Sequence, residues 1–349
     1  MSRAIEVGVL GATGMVGQQF LAQLASHPWF RPTWLAASER SEGKRYSEAA
    51  PWRLAGAPPE GIVDRIVESA TPGVGPRLVF SALDASVAGD LERAFAEAGH
   101  VVVSNARNHR LDAVVPLLVP EVNAEHLAVL RVQRVARGWK GLIVTNPNCS
   151  TVMLTMALAP LRAFDLRTCL VTTLQAVSGA GYPGVPSYDI LGNVVPFISG
   201  EEEKIEVETR KILGQAGENG VDYHQVIVSA STTRVPVIDG HTESVSVALG
   251  AKPSLDDVRQ AFETFSGVPQ QLGLPSAPKK PLVYVDLPNR PQPRFDAGRE
   301  GGMAVTVGRL RPCRVLDAKF FVLGHNTVRG AAGAAVLNGE LMVAQGWVD

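Results

Sequence analysis

Seven residues near the start of the chain, Gly11-Ala12-Thr13-Gly14-Met15-Val16-Gly17, constrain its fold more than any other feature. They follow the apolar run 7–10 and lead into a stretch where Phe20, Leu21 and Leu24 recur at helical spacing. Glycines at a strand–helix junction let the backbone turn sharply and approach a pyrophosphate. The helix N-terminus offers N–H groups and partial positive charge to that anion. The pattern is G-x-x-G-x-x-G, a variant of the usual dinucleotide fingerprint, and the plain alternative is a tight turn with no ligand. Gly11, Thr13, Gly14, Met15 and Val16 are the candidate phosphate-facing residues. A second apolar run, 32–37, ends in Ser38-Glu39-Arg40-Ser41, then Gly43-Lys44. An acidic residue there suits the ribose 2′-hydroxyl of NAD, and a basic one the 2′-phosphate of NADP. Glu39 argues for NAD. Ser38, Arg40, Ser41 and Lys44 together argue for NADP, the expected cofactor, with dual use left open.

Further short apolar runs follow at 77–80, ending at Ser81, at 101–103, ending at Ser104-Asn105, and at 142–144, ending at Thr145-Asn146-Pro147-Asn148-Cys149. Residues 90–98 read as a helix between two of them. In an open parallel sheet, ligands bind outside the carboxyl ends of the strands, so these polar ends are expected to cluster. Beyond Cys149 the texture changes. Residues 151–161 read as a helix, and 166–177, 225–237, 242–249, 304–310 and 319–323 as strands with few helices between them. The Ala-, Gly- and Leu-rich stretch 327–344 reads as a last helix. The expectation is an α/β protein. A Rossmann-like dinucleotide-binding domain covers 1–148, and an α+β domain with a mostly antiparallel sheet covers 149–324. A C-terminal helix over 325–349 returns to the first domain. The length of 349 residues suits two domains, and no internal repeat is present.

The charge balance narrows the partners. Lys+Arg is 33 and Asp+Glu 34, a net charge of −1, which excludes attachment to nucleic acid by bulk charge and argues against a polybasic membrane anchor. No stretch approaches the ~20 apolar residues that span a bilayer, and Met-Ser-Arg-Ala-Ile-Glu runs into an apolar strand without the pattern of a signal peptide. The 3 cysteines show no CxxC spacing, so neither a disulfide framework nor a thiolate metal site is expected. A reducing compartment, the cytoplasm, is the expected location.

Cys149 lies between an apolar strand and a helix, where the helix field is expected to stabilise a thiolate and lower the thiol's pKa. Cys169, in an apolar strand pattern, reads as a buried inert thiol, and Cys313 as incidental. A cysteine nucleophile needs a base. Of the 7 histidines, His241 is the best placed, in the turn Arg234-Val235-Pro236-Val237-Ile238-Asp239-Gly240-His241 between two strand runs. Gly240 suggests a backbone held in a special conformation there. His325 reads as a loop residue near the cofactor.

These segments stand in a familiar order. Besides the glycine turn they are Ser104-Asn105-Ala106-Arg107-Asn108-His109-Arg110, Val115-Pro116-Leu117-Leu118-Val119-Pro120-Glu121-Val122-Asn123, Asn146-Pro147-Asn148-Cys149-Ser150-Thr151, Gln175-Ala176-Val177-Ser178-Gly179-Ala180-Gly181, Glu201-Glu202-Glu203-Lys204 and the histidine turn. In this order the chain resembles the aspartate-semialdehyde dehydrogenases, in particular their archaeal and fungal branch, over nearly its whole length. The resemblance implies reductive dephosphorylation of L-4-aspartyl phosphate to L-aspartate 4-semialdehyde, with NADPH as hydride donor. That step feeds lysine (through diaminopimelate in bacteria), threonine, methionine and isoleucine synthesis. By the same resemblance Cys149 forms a thioester, His241 is the acid/base, Gln175 positions the reacting group and Asn148 orients the thiol. Arg234 would take the α-carboxylate, Glu201 the α-ammonium, and Lys204 and Arg110 the phosphate. Ser81, Ser178, Gly179 and Asn326 would join the cofactor contacts. A homodimer or homotetramer is implied, through the exposed sheet face of the second domain.

Two other readings suit the same residues. A sister acyl reductase could act on malonyl-CoA or on N-acetylglutamyl phosphate, although an N-acetyl group has no ammonium for Glu201. A non-enzymatic NADP-binding sensor would carry an unreactive Cys149. On the plain alternative Glu201, Glu202 and Glu203 serve only the helix dipole, Arg110 only a surface carboxylate such as Asp112, and Gln175 only the strand.

Overall fold

A computed structural model describes residues 4–348; Met1, Ser2, Arg3 and Asp349, and the N-terminal reading that falls on the first three, lie outside the described residues. The first sheet holds β1 (Ile5–Leu10), β2 (Phe30–Ala37), β3 (Glu68–Ser69), β4 (Leu78–Ser81), β5 (Val101–Ser104) and β6 (Leu142–Thr145). All run parallel, in the order β3-β2-β1-β4-β5-β6. Every residue of β4, β5 and β6 is buried, which is why these strands read as continuous apolar runs: parallel sheets are covered on both faces. The strand order reverses between β1 and β4, and a ligand crevice opens beyond the carboxyl ends at such a point. The glycine turn sits there, between β1 and the helix Met15–Leu24, which buries Phe20, Leu21 and Leu24. The helix Ala85–Ala98 starts earlier than its apolar pattern, because the Asp84 side chain accepts the Ser86 amide at 2.8 Å and caps it.

The second sheet holds β7 (Leu166–Gln175), β10 (Ile227–Arg234), β11 (His241–Leu249), β12 (Leu282–Val285), β13 (Val305–Pro312) and β14 (Ala318–Gly324), in the order β10-β7-β11-β14-β13-β12. A small hairpin of β8 (Gln215–Gly217) and β9 (Gly220–Asp222) stands apart. The β7–β11, β11–β14 and β14–β13 ladders are antiparallel, as expected for a mostly antiparallel sheet. The β10–β7 and β12–β13 ladders at its edges are parallel, so the sheet is mixed. A parallel neighbour needs a crossover connection. Between β7 and β10 the chain supplies one, with the helix Glu201–Ile212 packed on β10. Glu202 and Glu206 of that helix accept the Thr232 and Ala230 amides of β10, at 2.9 and 3.0 Å, and so satisfy donors on an edge strand.

The helix Cys149–Leu158 is buried at every position from Ser150 on, because it packs on β7, β11, β13 and β14 and also on the Glu201–Ile212 helix. A helix buried all round shows no amphipathic period. After β14 the chain makes a π-type turn, Val328–Ala332, and continues as the helix Gly333–Ala344. Ala335, Leu337 and Leu341 of that helix share one apolar core with Val7, Phe20 and Phe80 of the first sheet's side. A fully buried bidentate ion pair, Arg329 to Glu121 at 2.8 and 2.6 Å, anchors the turn. Among the described residues no helix is long and apolar enough to cross a membrane, and no cluster of His, Cys, Asp and Glu could hold a metal ion.

Candidate active site

Three strand ends meet the start of the Cys149–Leu158 helix. Arg234 ends β10 beside Gln175, the last residue of the parallel β7. In the antiparallel β11, Thr242 pairs with Leu174, which brings His241 to the same end. Gly240, at φ +97°, makes the turn that starts β11, and its amide donates to Asn326 Oδ1 at 2.8 Å. His241 Nε2 then lies 3.3 Å from Cys149 Sγ.

The Ala176 amide donates to His241 Nδ1 at 3.0 Å. An amide can only donate, so Nδ1 is the acceptor and the neutral ring carries its proton on Nε2, facing the sulfur. Burial, with the nearby charges of Arg234 and His325, pushes His241 down to about 3. An imidazolium would turn a second N–H against the Ala176 amide, so geometry and burial agree on a neutral ring. Cys149 departs from the sequence expectation. The helix start and the charges of Arg110 and Arg234 do favour a thiolate. The protein packed around the sulfur, helped by Glu201, outweighs them and pushes the thiol up to about 12. Cys149 nevertheless keeps a partly exposed face, whereas Cys169 is fully buried and its thiol is also pushed up.

Asn148 caps the cysteine helix. Its Oδ1 accepts the Ser150 and Thr151 amides at 3.0 and 3.3 Å, and its Nδ2 donates to Glu201 at 2.6 Å. Glu201 also accepts from Lys204 at 3.1 Å and from Gln175 at 3.4 Å. Arg234 Nη1 donates to the Ala176 carbonyl at 2.7 Å. A Cβ on Gly179 would stand 2.9 Å from both Arg234 Nη1 and His241 Cε1, so the glycine admits these two groups. Arg110 bonds the buried Glu208 at 3.0 Å, not Asp112, which pairs with Arg137 instead. The structure thus brings Cys149, His241, Gln175, Asn148, Glu201, Lys204, Arg234 and Arg110 into one connected neighbourhood.

The cofactor candidates fall into three groups. At the glycine turn, Gly11 has φ +72°, and a Cβ there would stand 2.5 Å from the Ala82 carbonyl oxygen. At Gly17 a Cβ would lie 2.2 Å from the Gly11 carbonyl oxygen, so helix and strand pack as only glycine allows. A Cβ on Gly14 would meet only the Gly11 oxygen, at 3.5 Å, and the helix N-terminus has no side-chain cap, which leaves the approach open and fits a pyrophosphate. Thr13, Met15 and Val16 are partly exposed beside it. At the end of β2, Ser38, Arg40 and Lys44 are exposed, Ser41 is buried, and Lys44 Nζ bonds the Arg40 carbonyl at 2.7 Å. Near Cys149, Asn326 Nδ2 donates to Ser178 at 2.8 Å, which joins Ser178 to the Gly240 turn. Ser81 differs: it is fully buried, and its hydroxyl donates to the buried Glu92 at 2.6 Å. Its side chain is committed to the interior, so only its backbone lies at the strand end.

Sequence reasoning missed three contributors. The Ala176 amide leaves no residue-type signal. Gly330, where a Cβ would stand 2.6 Å from Cys149 Cβ, comes from a turn remote in sequence. Glu208 had a visible signal, since Glu201, Lys204, Glu208 and Lys211 fall on one helix face.

Comparison with known proteins agrees with this geometry. Residues 6–130 match the family described as semialdehyde dehydrogenase, NAD binding domain, and residues 158–329 its dimerisation domain. The chain is 54% identical over 343 residues to the aspartate-semialdehyde dehydrogenase of Methanothermobacter thermautotrophicus, covering 97% of this chain and 99% of the relative. It is 50% identical to that of Archaeoglobus fulgidus, covering 97% and 98%. The fold matches the crystal structure of aspartate-semialdehyde dehydrogenase with NADP from Candida albicans at a TM-score of 0.92 and 44% identity, covering 99% of this chain and 100% of that one. With both family domains matched in order and identity of this level along almost its full length, the chain belongs to the aspartate-semialdehyde dehydrogenase family.

Proposed function

We propose that this protein catalyses the NADPH-dependent reductive dephosphorylation of L-4-aspartyl phosphate to L-aspartate 4-semialdehyde, through a thioester on Cys149. The observation that carries this reading is the 3.3 Å approach of His241 Nε2 to Cys149 Sγ at a helix start, where the charges of Arg110 and Arg234 also act on the sulfur. The sulfur attacks the acyl carbon, the bond to the phosphate oxygen breaks, and the thiol proton leaves with the phosphate. When bound, NADPH supplies the hydride that reduces the thioester. The thiohemiacetal anion then collapses to aldehyde and thiolate; the Nε2–H of His241 stabilises that sulfur by a hydrogen bond, and a proton from solvent restores the thiol. The thioester divides one hard step into two easier ones.

The substrate's charges call for the other residues. Arg234 pairs with the α-carboxylate, a planar match for guanidinium. Glu201, held by Asn148, Gln175 and Lys204, receives the α-ammonium. Lys204 and Arg110 hold the phosphate, and Gln175 and Asn148 orient the reacting group and the thiol. Gly11, Thr13, Gly14, Met15 and Val16 would cradle the pyrophosphate, and Ser38, Arg40, Ser41 and Lys44 the 2′-phosphate. Ser178, Gly179 and Asn326 would border the nicotinamide end. The working form is a homodimer or homotetramer in the cytoplasm. The outward face of β7, with Leu170 exposed, and the exposed Tyr188, Leu191 and Phe197 support such an association.

The test is phosphate-dependent reduction of NADP with aspartate semialdehyde, run beside CoA-dependent reduction with malonate semialdehyde. Turnover in the first and none in the second is expected. No turnover in the first would remove this reading. Cys149→Ser should abolish the activity while the protein stays folded.

A further inference from the structure

We infer that Glu208 is a positioning residue for this reaction, tying the phosphate-holding Arg110 to the backbone of the cysteine turn; the inference rests on the function proposed above. Glu208 lies on the Glu201–Ile212 helix with 2% of its surface exposed. One carboxylate oxygen accepts from Arg110 Nη1 at 3.0 Å. The other accepts the backbone amide of Asn148 at 2.6 Å, one residue before Cys149. A single planar group thus spans two parts of the site that are remote in sequence.

The rest of that helix holds the same parts in place. Glu201 and Lys204 stand a turn or two before Glu208 on the same face, and Glu201 receives the Asn148 side chain at 2.6 Å. One turn after Glu208, the buried Lys211 donates to the carbonyls of Arg110, Asp112 and Val115 at 2.8, 2.7 and 2.9 Å. Lys211 therefore fixes the backbone that carries Arg110, and Glu208 fixes its guanidinium. Arg110 Nη2 also donates to the Asn105 carbonyl at 2.8 Å, so Arg110 has little freedom of orientation. Asn148, for its part, is held by Glu201 at its side chain and by Glu208 at its backbone. The helix acts as a jig that sets the phosphate group of the substrate against the sulfur.

The chemistry of the carboxylate matters. Both of its partners are donors, so the site needs two acceptors at once. Glutamine offers one oxygen and one NH2 group, and the NH2 would face either Arg110 or the Asn148 amide. Aspartate keeps both acceptors but is shorter. Two roles for Glu208 can be told apart by sign. If it only offset the charge of Arg110, its neutral replacement would leave more positive charge for phosphate and tighten phosphate binding. If it positions Arg110 and the cysteine turn, the same replacement lowers turnover.

The experiment compares wild type, Glu208→Gln and Glu208→Asp in the phosphate-dependent oxidation of aspartate semialdehyde. It reads kcat and KM for each substrate, with thermal unfolding of the same samples. Expected for Glu208→Gln is a fall of about tenfold or more in kcat/KM for phosphate, the scale of one lost charge-assisted hydrogen bond. KM for NADP should stay within about twofold, because Glu208 bonds only Arg110 and the Asn148 amide and none of the residues proposed for the dinucleotide, and Glu208→Asp should recover part of the loss. Tighter phosphate binding with unchanged kcat would overturn the inference. So would parallel losses in every parameter that follow only a lowered unfolding temperature, or a variant that behaves as wild type. An active wild type with an unaffected variant sinks this inference alone. An inactive wild type sinks the proposed function, and the inference with it.

Discussion

The Ala176 amide points its hydrogen at Nδ1 of His241, 3.0 Å away, and that single donor settles which ring nitrogen faces Cys149 with a proton. Residue types alone could not reveal this, since the partner is backbone. It makes His241 a hydrogen-bond donor toward the sulfur in the resting protein, whereas residue type alone implies an acid/base part without direction.

A first prediction concerns the resting thiol. With burial holding Cys149 up at about 12 and His241 down at about 3, the ligand-free pair stays neutral around pH 7. Only the thiolate reacts with iodoacetamide, so alkylation of Cys149 should climb about tenfold per pH unit from pH ~7 to ~9 without levelling. Cys149, partly exposed, should still react far faster than the fully buried Cys169. Peptide mapping after timed alkylation checks both points, and a plateau below pH ~9 would contradict the neutral pair.

Gly179 supplies a second. An added Cβ would stand 2.9 Å from Arg234 Nη1 and 2.9 Å from His241 Cε1. Gly179 has no positive φ to protect, so Gly179→Ala should disturb the site more than the fold. Relieving these contacts displaces His241 or Arg234; a misplacement of ~1 Å in a reacting group costs about a hundredfold in rate, and kcat should fall toward that scale. Circular dichroism and thermal unfolding near wild type would accompany it. Wild-type kcat would show that Arg234 and His241 tolerate displacement.

Glu243, two residues after His241 on β11, supplies a third. It is fully buried, neither carboxylate oxygen has a hydrogen-bond partner among the described residues, and burial pushes its carboxyl well above the ordinary value. The folded state keeps it neutral, while the unfolded chain ionises it near pH ~4.3. The native state therefore loses stability as pH rises beyond that point. Glu243→Met, of similar length and without the charge, should stabilise the protein by about 1–3 kcal/mol at pH ~7.5. The gain should shrink toward pH ~4, where the unfolded carboxyl is mostly protonated as well. Urea unfolding at the two pH values measures this, and a gain that does not depend on pH would argue against a neutral buried carboxyl.

Much of the molecule is legible in its sequence. The runs ending at Leu10, Ala37, Ser81, Ser104 and Thr145 read as strands because parallel strands buried on both faces are apolar throughout. Cys149 and His241 stood out because few residue types can act as nucleophile and acid/base partner, and each sat at a junction between elements. The parallel edges of the second sheet were not legible, because pairing direction depends on how a connection returns and not on the strand's own residues. Short elements such as β3 and β12 were missed for a related reason, since two to four residues carry too little pattern.

The sequence by itself determined where backbone turns are forced by glycine, which segments must be buried, and which side chains can do the chemistry, because these follow from local sterics and residue type. Tertiary structure alone decided the proton's place on His241, the raised pKa of Cys149, the inward commitment of Ser81 and the bridge from Glu208 to Asn148. Each of these depends on which distant groups exclude water from an atom or place a donor beside it, and that is fixed only when segments far apart in the chain are packed together.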